Sequence, residues 1–243
     1  MRLAQYLALT GLCSRRAASR LIRDGRVSLG ERLANHTDRV ELIQTPAGKQ
    51  ASLNVCLDSQ PLPPIADKAY WILNKVVGTD CRLLAQDPTS LLHLLPAQPR
   101  LYPVGRLDKD SRGLLLLTND GELAQKLMHP SFAHHKRYHV RLDSPFDDHF
   151  IDQMATGVSY KDVTTLPSRV TRLGPDSFEI ILTQGLNRQI RRMSQALGYH
   201  VIDLKRVAIE SLTLGELPEG EMRELTEQEI AMLRRQSSSG SLT

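Results

Sequence analysis

The chain has 243 residues, of which 41% are hydrophobic and 24% charged, values that allow one large or two modest cores without disulfide support. Three widely spaced cysteines (Cys13, Cys56 and Cys81) exclude a disulfide scaffold and a CxxC motif. The net charge of +4 is distributed unevenly along the chain. Residues 1–60 hold nine Lys and Arg and five Asp and Glu, whereas the rest of the chain holds 22 basic and 22 acidic residues, whose charges cancel. This asymmetry predicts a polyanion-binding module at the N-terminus.

Targeting segments are not evident. No apolar run approaches the ~20 residues that a membrane-spanning helix needs, and residues 1–6 lack the apolar core of a signal peptide. We therefore expect a cytoplasmic protein that has no membrane partner.

The first segment begins with a predicted pair of helices. Ser14 is placed to cap a helix over residues 15–24 that stops at Gly25. The outer face of this helix carries a stripe of arginines, namely Arg16, Arg20 and Arg23. Three short strands are predicted to follow, near residues 26–28, 31–33 and 39–43. The stripe either contacts phosphates or only solvates a surface helix, and both interpretations stay open.

Proline and serine mark the domain boundaries. Residues 60–64 contain three prolines, which predicts a short stiff connector. After residue 236 the chain turns serine-rich and has nothing to bury. The predicted organisation is a polyanion-binding domain at 1–60, a linker at 61–67, a larger domain at 68–236 and a disordered tail at 237–243.

The larger domain alternates strand and helix patterns. Strands are predicted at residues 69–73, 113–117, 137–142 and 177–183. Helices are predicted at 122–128 and 187–197, and Thr226 and Glu229 form a capping box that opens a last helix. Because strands often follow one another directly, the fold class is α+β with a mostly antiparallel mixed sheet.

Three clusters could carry chemistry. Residues 105–113 form a charged loop ahead of an apolar strand, a position where functional groups are held; the alternative is a solvated turn capped by Asp108 or Asp110. Arginines crowd the N-terminal end of the helix predicted at 187–197, where cations oppose the helix dipole unless a phosphate or a buried carboxylate lies opposite. Tyr138 is either core or a stacking platform for a base, with neighbouring basic residues that attract phosphates.

Other site types find no support. Four clustered histidines lack the carboxylates or cysteines that would complete a metal site: His129, His134, His135 and His139. No Walker A loop, GxGxxG or GxSxG motif occurs, so nucleotide, dinucleotide and α/β-hydrolase readings lack support.

Taken together, the motifs resemble a known family. Residues 105–108 and 111–121 resemble the signature of RsuA-type ribosomal RNA pseudouridine synthases, and Lys136-x-Tyr138 and residues 187–193 match the family's later motifs in order. Residues 184–187 most resemble the RluF branch, which acts on large-subunit rRNA. The segment around Arg15 resembles the small RNA-binding module, with its alpha-L motif, first seen in small-subunit ribosomal protein S4.

This resemblance implies roles for individual residues. Asp108 would be the catalytic carboxylate, Tyr138 would stack on the target base, and Arg191 would pair with Asp108. Arg106 would displace the flipped nucleotide or hold its phosphate, and Leu204 would line the uracil pocket. The remaining RNA-binding candidates are basic: Lys136, Arg188, Arg192, Arg15, Arg16, Arg20 and Arg23.

The implied reaction converts uridine to pseudouridine. Because atoms are neither gained nor lost, it requires no cofactor and no metal. A carboxylate could act on it as nucleophile or as base, and the sequence does not choose between these. We expect a monomer whose partner is large-subunit rRNA or its assembly precursor. The alternatives are small-subunit rRNA, a tRNA anticodon arm, or a non-catalytic role in ribosome assembly.

Overall fold

The structure is a computed structural model that describes residues 1–129 and 133–239, and the chain divides into two compact units. The first unit comprises Met1–Ala69 and Pro96–Leu101. Its elements are α1 (Leu3–Leu9), α2 (Arg15–Arg23), β1 (Val27–Leu29), β2 (Arg32–Leu33), β3 (Leu42–Thr45), β4 (Gly48–Ala51), β5 (Val55–Leu57) and β6 (Gln60–Pro61). The order β2-β1-β5-β6 forms one antiparallel sheet, and β3 and β4 form a separate hairpin.

Helix α2 forms as its sequence predicts. The Ser14 hydroxyl accepts a hydrogen bond from the Ala17 amide at 3.1 Å, which satisfies one of the free N–H groups of the first turn. Ala18 and Ile22 are buried on the inner face. The helix is therefore fixed by a cap at one end and by an apolar face against the core, while its arginines remain outside.

Residues 60–67 do not form the short stiff connector between domains that their prolines predicted. Gln60–Pro61 is an edge strand paired with β5. The amides of Leu62 and Ile65 donate to carbonyls of the same unit at 3.0 and 2.7 Å, and both side chains pack against its core. An edge strand tolerates proline because the missing N–H removes no ladder hydrogen bond, so this segment folds as part of the first unit.

The second unit comprises Tyr70–Leu95 and the chain from Tyr102 onward. Its strands are β7 (Tyr70–Lys75), β8 (Tyr102–Pro103), β9 (Arg112–Thr118), β10 (Lys136–Leu142), β11 (Ser159–Tyr160), β12 (Val163–Thr164), β13 (Arg169–Arg172), β14 (Ser177–Leu182), β15 (Val201–Ile209), β16 (Leu212–Thr213) and β17 (Met222–Glu224). Its helices are α3 (Gly121–Met128), α4 (Asp148–Thr156), α5 (Gln189–Ala196) and α6 (Glu227–Ser239), with a 3₁₀ turn at Leu91–Leu94.

A mixed sheet of order β13-β14-β10-β15-β9-β7-β17 organises this unit. Strands β9 and β15 run parallel, and the other neighbours in this sheet are antiparallel. This arrangement confirms the predicted fold class. It also brings the chain just before β9 beside the first half of β15, although Arg112 and its hydrogen-bond partner Asp203 are 91 residues apart in sequence.

Two hydrophobic layers cover this sheet. Helices α3 and α6 pack on β7 and β9 through residues such as Leu123 and Leu233. Helices α4 and α5 pack on β10, β14 and β15 through residues such as Phe150 and Met193. Apolar burial of this kind is the main stabilising term, and it fixes α5 against the strand that follows it.

The last helix begins at the predicted capping box. The Glu229 amide donates to the Thr226 hydroxyl at 3.2 Å, and the Glu229 carboxylate accepts from the Thr226 amide at 2.8 Å. The helix continues to Ser239, so the disorder predicted from residue 237 is wrong for residues 237–239; residues 240–243 lie outside the described residues. Among the described helices, none has the length and apolar character to cross a membrane.

Candidate active site

The loop ahead of β9 is fixed through its backbone. Four successive carbonyls, from residue 108 to residue 111, accept one hydrogen bond each. In that order the donors are the Ser111 amide at 3.0 Å, the Gly78 amide at 2.7 Å, Arg191 Nη2 at 2.7 Å and Lys75 Nζ at 2.6 Å. Holding a functional side chain on such a constrained backbone places it reproducibly. The Asp108 side chain itself stays 37% exposed, so it is available to a substrate.

Lys75 anchors this loop from below. It is fully buried at the end of β7, and its ammonium donates to the carbonyls of Val76 at 3.0 Å and Ser111 at 2.6 Å. Burial lowers the pKa of Lys75, while nearby groups, among them the Asp110 and Asp108 carboxylates, raise it. A buried cation bound to carbonyls stabilises the loop and adds positive charge beneath the two aspartates.

Arg188 contacts both aspartates of the loop. Its Nη1 and Nη2 donate to Asp110 Oδ1 and Oδ2 at 3.0 and 2.7 Å, and the same Nη1 lies 3.9 Å from Asp108 Oδ2. Hydrogen bonding by Arg188 lowers the pKa of Asp110. Arg188 adopts the left-handed conformation (φ 50°) at the N-cap of α5, which non-glycine residues seldom adopt.

Arg191 does not form the predicted pair with Asp108. Its Nη1 donates to the Val201 carbonyl at 2.9 Å and its Nη2 to the Asp110 carbonyl at 2.7 Å, and its Nε lies 3.4 Å from Asp110 Oδ2. Both terminal nitrogens are therefore engaged by backbone oxygens of β15 and of the loop. Arg188 is instead the cation in contact with Asp108.

The position of Tyr138 leaves both interpretations of its role open. It is half-buried on β10, opposite Arg206 of β15, and it packs against a hydrophobic cluster. The same cluster contains Leu204 and, from α5, Ile190 and Met193. Tyr138 and Leu204 therefore share a core with the helix that carries Arg191, and part of the tyrosine side chain remains accessible.

Two cations lie beside Tyr138. Lys136 is half-buried and its Nζ donates to the His134 carbonyl at 3.3 Å. Arg206 is only 3% exposed, and its Nε donates to the Leu114 carbonyl at 2.7 Å. Burial, and then the Arg206 charge, lower the pKa of Lys136. The Glu210 carboxylate acts on the pKa of Lys136 in the opposite direction. Two cations and one carboxylate therefore lie at this end of the site, and the remaining positive charge favours an anionic ligand.

The remaining predicted residues lie on surfaces. Arg106 is exposed two residues before Asp108, and Arg192 donates to Asn187 Oδ1 at 2.9 Å. In the first unit, the arginines of α2 are all exposed: Arg15, Arg16, Arg20 and Arg23. Arg23 lies 3.6 Å from Asp24. The exposed stripe fits a polyanion surface and a solvated face equally well.

Three contact residues were not predicted as part of the site. Asp110 had a detectable signal, since it lies two positions after Asp108 in a loop that faces arginines. The burial of Lys75 and Arg206 was not predicted, because each occupies a strand position where a long basic side chain is usually solvent-exposed. Their burial follows from pairing between distant strands.

Comparisons with known proteins agree with this architecture. Residues 69–196 match the family model for RNA pseudouridylate synthase, and residues 1–40 match that for the S4 domain. A solved structure described as a pseudouridylate synthase superposes with a TM-score of 0.68 at 28% identity, covering 96% of this chain and 99% of the other.

Curated relatives cover nearly the whole chain. The dual-specificity RNA pseudouridine synthase RluF of Salmonella typhi is 38% identical over 94% of this chain and 77% of its own length. The ribosomal large subunit pseudouridine synthase B of Bacillus subtilis is 33% identical over 96% and 95%. The ribosomal small subunit pseudouridine synthase A of Escherichia coli is 34% identical over 95% and 99%. An S4 domain followed by a synthase domain, both matched in order, establishes that this chain belongs to the RNA pseudouridine synthase family.

Proposed function

We propose that this enzyme isomerises uridine in large-subunit rRNA, in the cytoplasm and as a monomer, with Asp108 as its catalytic carboxylate. The observation that carries the proposal is the Asp108 side chain, which is partly exposed on a loop with four bound carbonyls and lies 3.9 Å from Arg188. A structural carboxylate would be paired at closer range, as Asp110 is.

The reaction places definite demands on such a site. The N1–C1′ bond breaks, the uracil turns, and C5 bonds to C1′; C5 then loses a proton and N1 gains one, so the atoms balance. An ionised Asp108 acts at C1′ or at C6 of the uracil. A nearby guanidinium keeps a carboxylate charged when RNA excludes water from the site, and Arg188 is in place to do so.

The target base must leave its stack to reach Asp108. Extruding a nucleotide costs a few kcal/mol, and stacking on an aromatic ring returns about 1–3 kcal/mol per base. We assign that stacking to Tyr138 and the apolar wall of the pocket to Leu204. Lys136, Arg106, Arg188 and Arg192 supply charge for phosphates around the flipped nucleotide.

The N-terminal unit supplies a second RNA contact. Its helix α2 presents exposed arginines, and contacts from such side chains to phosphates give affinity without base specificity. We assign Arg15, Arg16, Arg20 and Arg23 to this role. One surface then recognises the RNA broadly while the other acts on a single base.

The substrate is tested by mapping pseudouridines in cells with and without the gene. Loss of a pseudouridine from large-subunit rRNA, restored by the wild-type gene, is expected. Loss from small-subunit rRNA or from a tRNA would overturn the substrate but keep the chemistry. An unchanged map, together with a defect in ribosome assembly, would favour a non-catalytic RNA-binding protein.

A further inference from the structure

An exposed ion pair lies beside Asp108 in the candidate site. Arg188 and Asp110 bond through two nitrogens and two oxygens, at 3.0 and 2.7 Å, yet their side chains are 42% and 45% exposed. Exposed pairs of this kind contribute little to stability, because water competes for both partners. The pair can therefore open at small cost when another anion arrives.

A phosphate offers the same geometry as this carboxylate. The Nη1–Nη2 edge of a guanidinium binds two oxygens of a carboxylate or two of a phosphate in parallel, and this edge cannot bind both groups at once. While Asp110 accepts from Nη1 and Nη2 of Arg188, this edge of the arginine is closed to a bidentate phosphate contact. Asp110 is thus a carboxylate in a position that an RNA phosphate could take.

Arg191 adds a second donor to the same position. Its Nε lies 3.4 Å from Asp110 Oδ2, is buried, and makes no hydrogen bond among the described residues. Asp110 Oδ2 therefore faces one nitrogen from each of two arginines. Arg188 Nη2 donates a hydrogen bond to it, and Arg191 Nε does not. An anion that replaced the carboxylate would meet both.

We propose that Asp110 is a specificity-determining residue that occupies the phosphate position of Arg188 until a cognate RNA displaces it. The proposal rests on the proposed function, since it takes this surface to be the one that RNA meets. RNA bound only through loose phosphate contacts does not displace Asp110 efficiently. RNA that also gains base stacking and contacts with the first unit displaces Asp110 efficiently. The aspartate therefore selects against non-cognate strands.

The test measures binding of a short oligocytidylate, which supplies phosphates but no uridine to convert. Asp110→Asn and Asp110→Ala release Arg188 and should tighten binding several-fold at low salt. Because one more phosphate is neutralised, log K should fall more steeply with log[salt], by about 0.7 for a single strand. Asp110→Glu keeps the negative charge and should bind as the wild type does.

Two controls separate this effect from added positive charge. Asp176→Asn makes the same charge change at the Arg141 pair on the second unit, and it should alter affinity and salt slope less than Asp110→Asn. In an Arg188→Gln background, Asp110→Asn should lose its effect. Unchanged or weaker binding by folded Asp110→Asn and Asp110→Ala, with the wild-type slope, overturns the proposal.

Failure of this proposal is distinct from failure of the proposed function. If Asp108→Asn still converts uridine, the catalytic assignment fails whatever oligocytidylate does. If wild-type conversion depends on Asp108 but the Asp110 variants bind as the wild type does, only the role of Asp110 is refuted. Thermal unfolding of each variant identifies those that are folded, and binding is compared among these.

Discussion

Gly113 offers the sharpest test of how the site is held together. It lies in β9 directly beside Arg206 of the parallel strand β15, with φ at 101°. A Cβ added at Gly113 would meet the Arg206 carbonyl oxygen at 2.3 Å and its amide nitrogen at 2.8 Å. Both atoms are backbone, so the contact can be relieved only if the strands separate.

The cost of Gly113→Ala has two parts. Overpacking a filled site costs about 1–3 kcal/mol, and holding a non-glycine residue at this φ costs about 1–3 kcal/mol more. The total of about 2–6 kcal/mol is a large share of the roughly 5–15 kcal/mol that stabilises a typical domain. Separation of β9 from β15 would also move the loop of Asp108 away from Tyr138, so conversion of uridine should fall in the variant that remains folded.

Two glycine controls isolate these parts. In Gly78→Ala the backbone has a positive φ (95°) but the added Cβ meets no atom within 4 Å. In Gly185→Ala there is neither a positive φ nor a contact within 4 Å. Urea unfolding should rank the losses of stability with Gly113→Ala largest, Gly78→Ala intermediate and Gly185→Ala smallest. If Gly113→Ala is no less stable than Gly78→Ala, close contact between the strands is not what Gly113 provides.

Three further variants have defined outcomes. Tyr138→Leu removes the stacking surface and should lower kcat/KM by at least about 5-fold, the equivalent of ~1 kcal/mol. An unchanged kcat/KM would show that Tyr138 is only a core residue. Hydrogen bonds from Arg223 lower the pKa of Glu229 to about 2. Glu229→Gln should therefore lose the most unfolding free energy, relative to the wild type, above pH 4.5, and this loss should shrink as pH falls toward 2. A loss that does not depend on pH would contradict this reasoning. In a third variant, alanine replaces the three arginines of the α2 stripe, Arg16, Arg20 and Arg23. This variant should flatten the dependence of log K for RNA binding on log[salt], whereas an unchanged slope would show that the stripe is a solvated face.

Local patterns predicted some of the helices and strands and missed others, among them α4 and the long strand β15. The Ser14 cap and the box at Thr226 and Glu229 each appear with the expected hydrogen bonds, because these interactions involve residues only three apart. The prolines at 61–64 led to the wrong prediction of a connector. A proline interrupts a central strand but is accommodated in an edge strand, and the sequence alone does not show which of these a segment will be. The end of α6 extended beyond its prediction because helix ends are weakly specified by sequence.

Contacts between distant segments were harder to predict. Asp108, Arg188 and Tyr138 were recognisable from motifs, but the preference of Arg191 for the Val201 and Asp110 carbonyls depends on how α5 packs against β15. The burial of Lys75 likewise requires the pairing of β7 with β9. Such features come from topology, which periodicity and composition do not specify.

Asp108→Asn tests the central claim most directly. The variant and a charge-matched control, Asp176→Asn, are incubated with a large-subunit rRNA transcript, and pseudouridine is mapped by a mass-shift label. Asp108→Asn should bind the transcript and form no pseudouridine, whereas Asp176→Asn should convert it as the wild type does. Conversion by Asp108→Asn at the wild-type rate would contradict the assignment of Asp108 as the catalytic carboxylate.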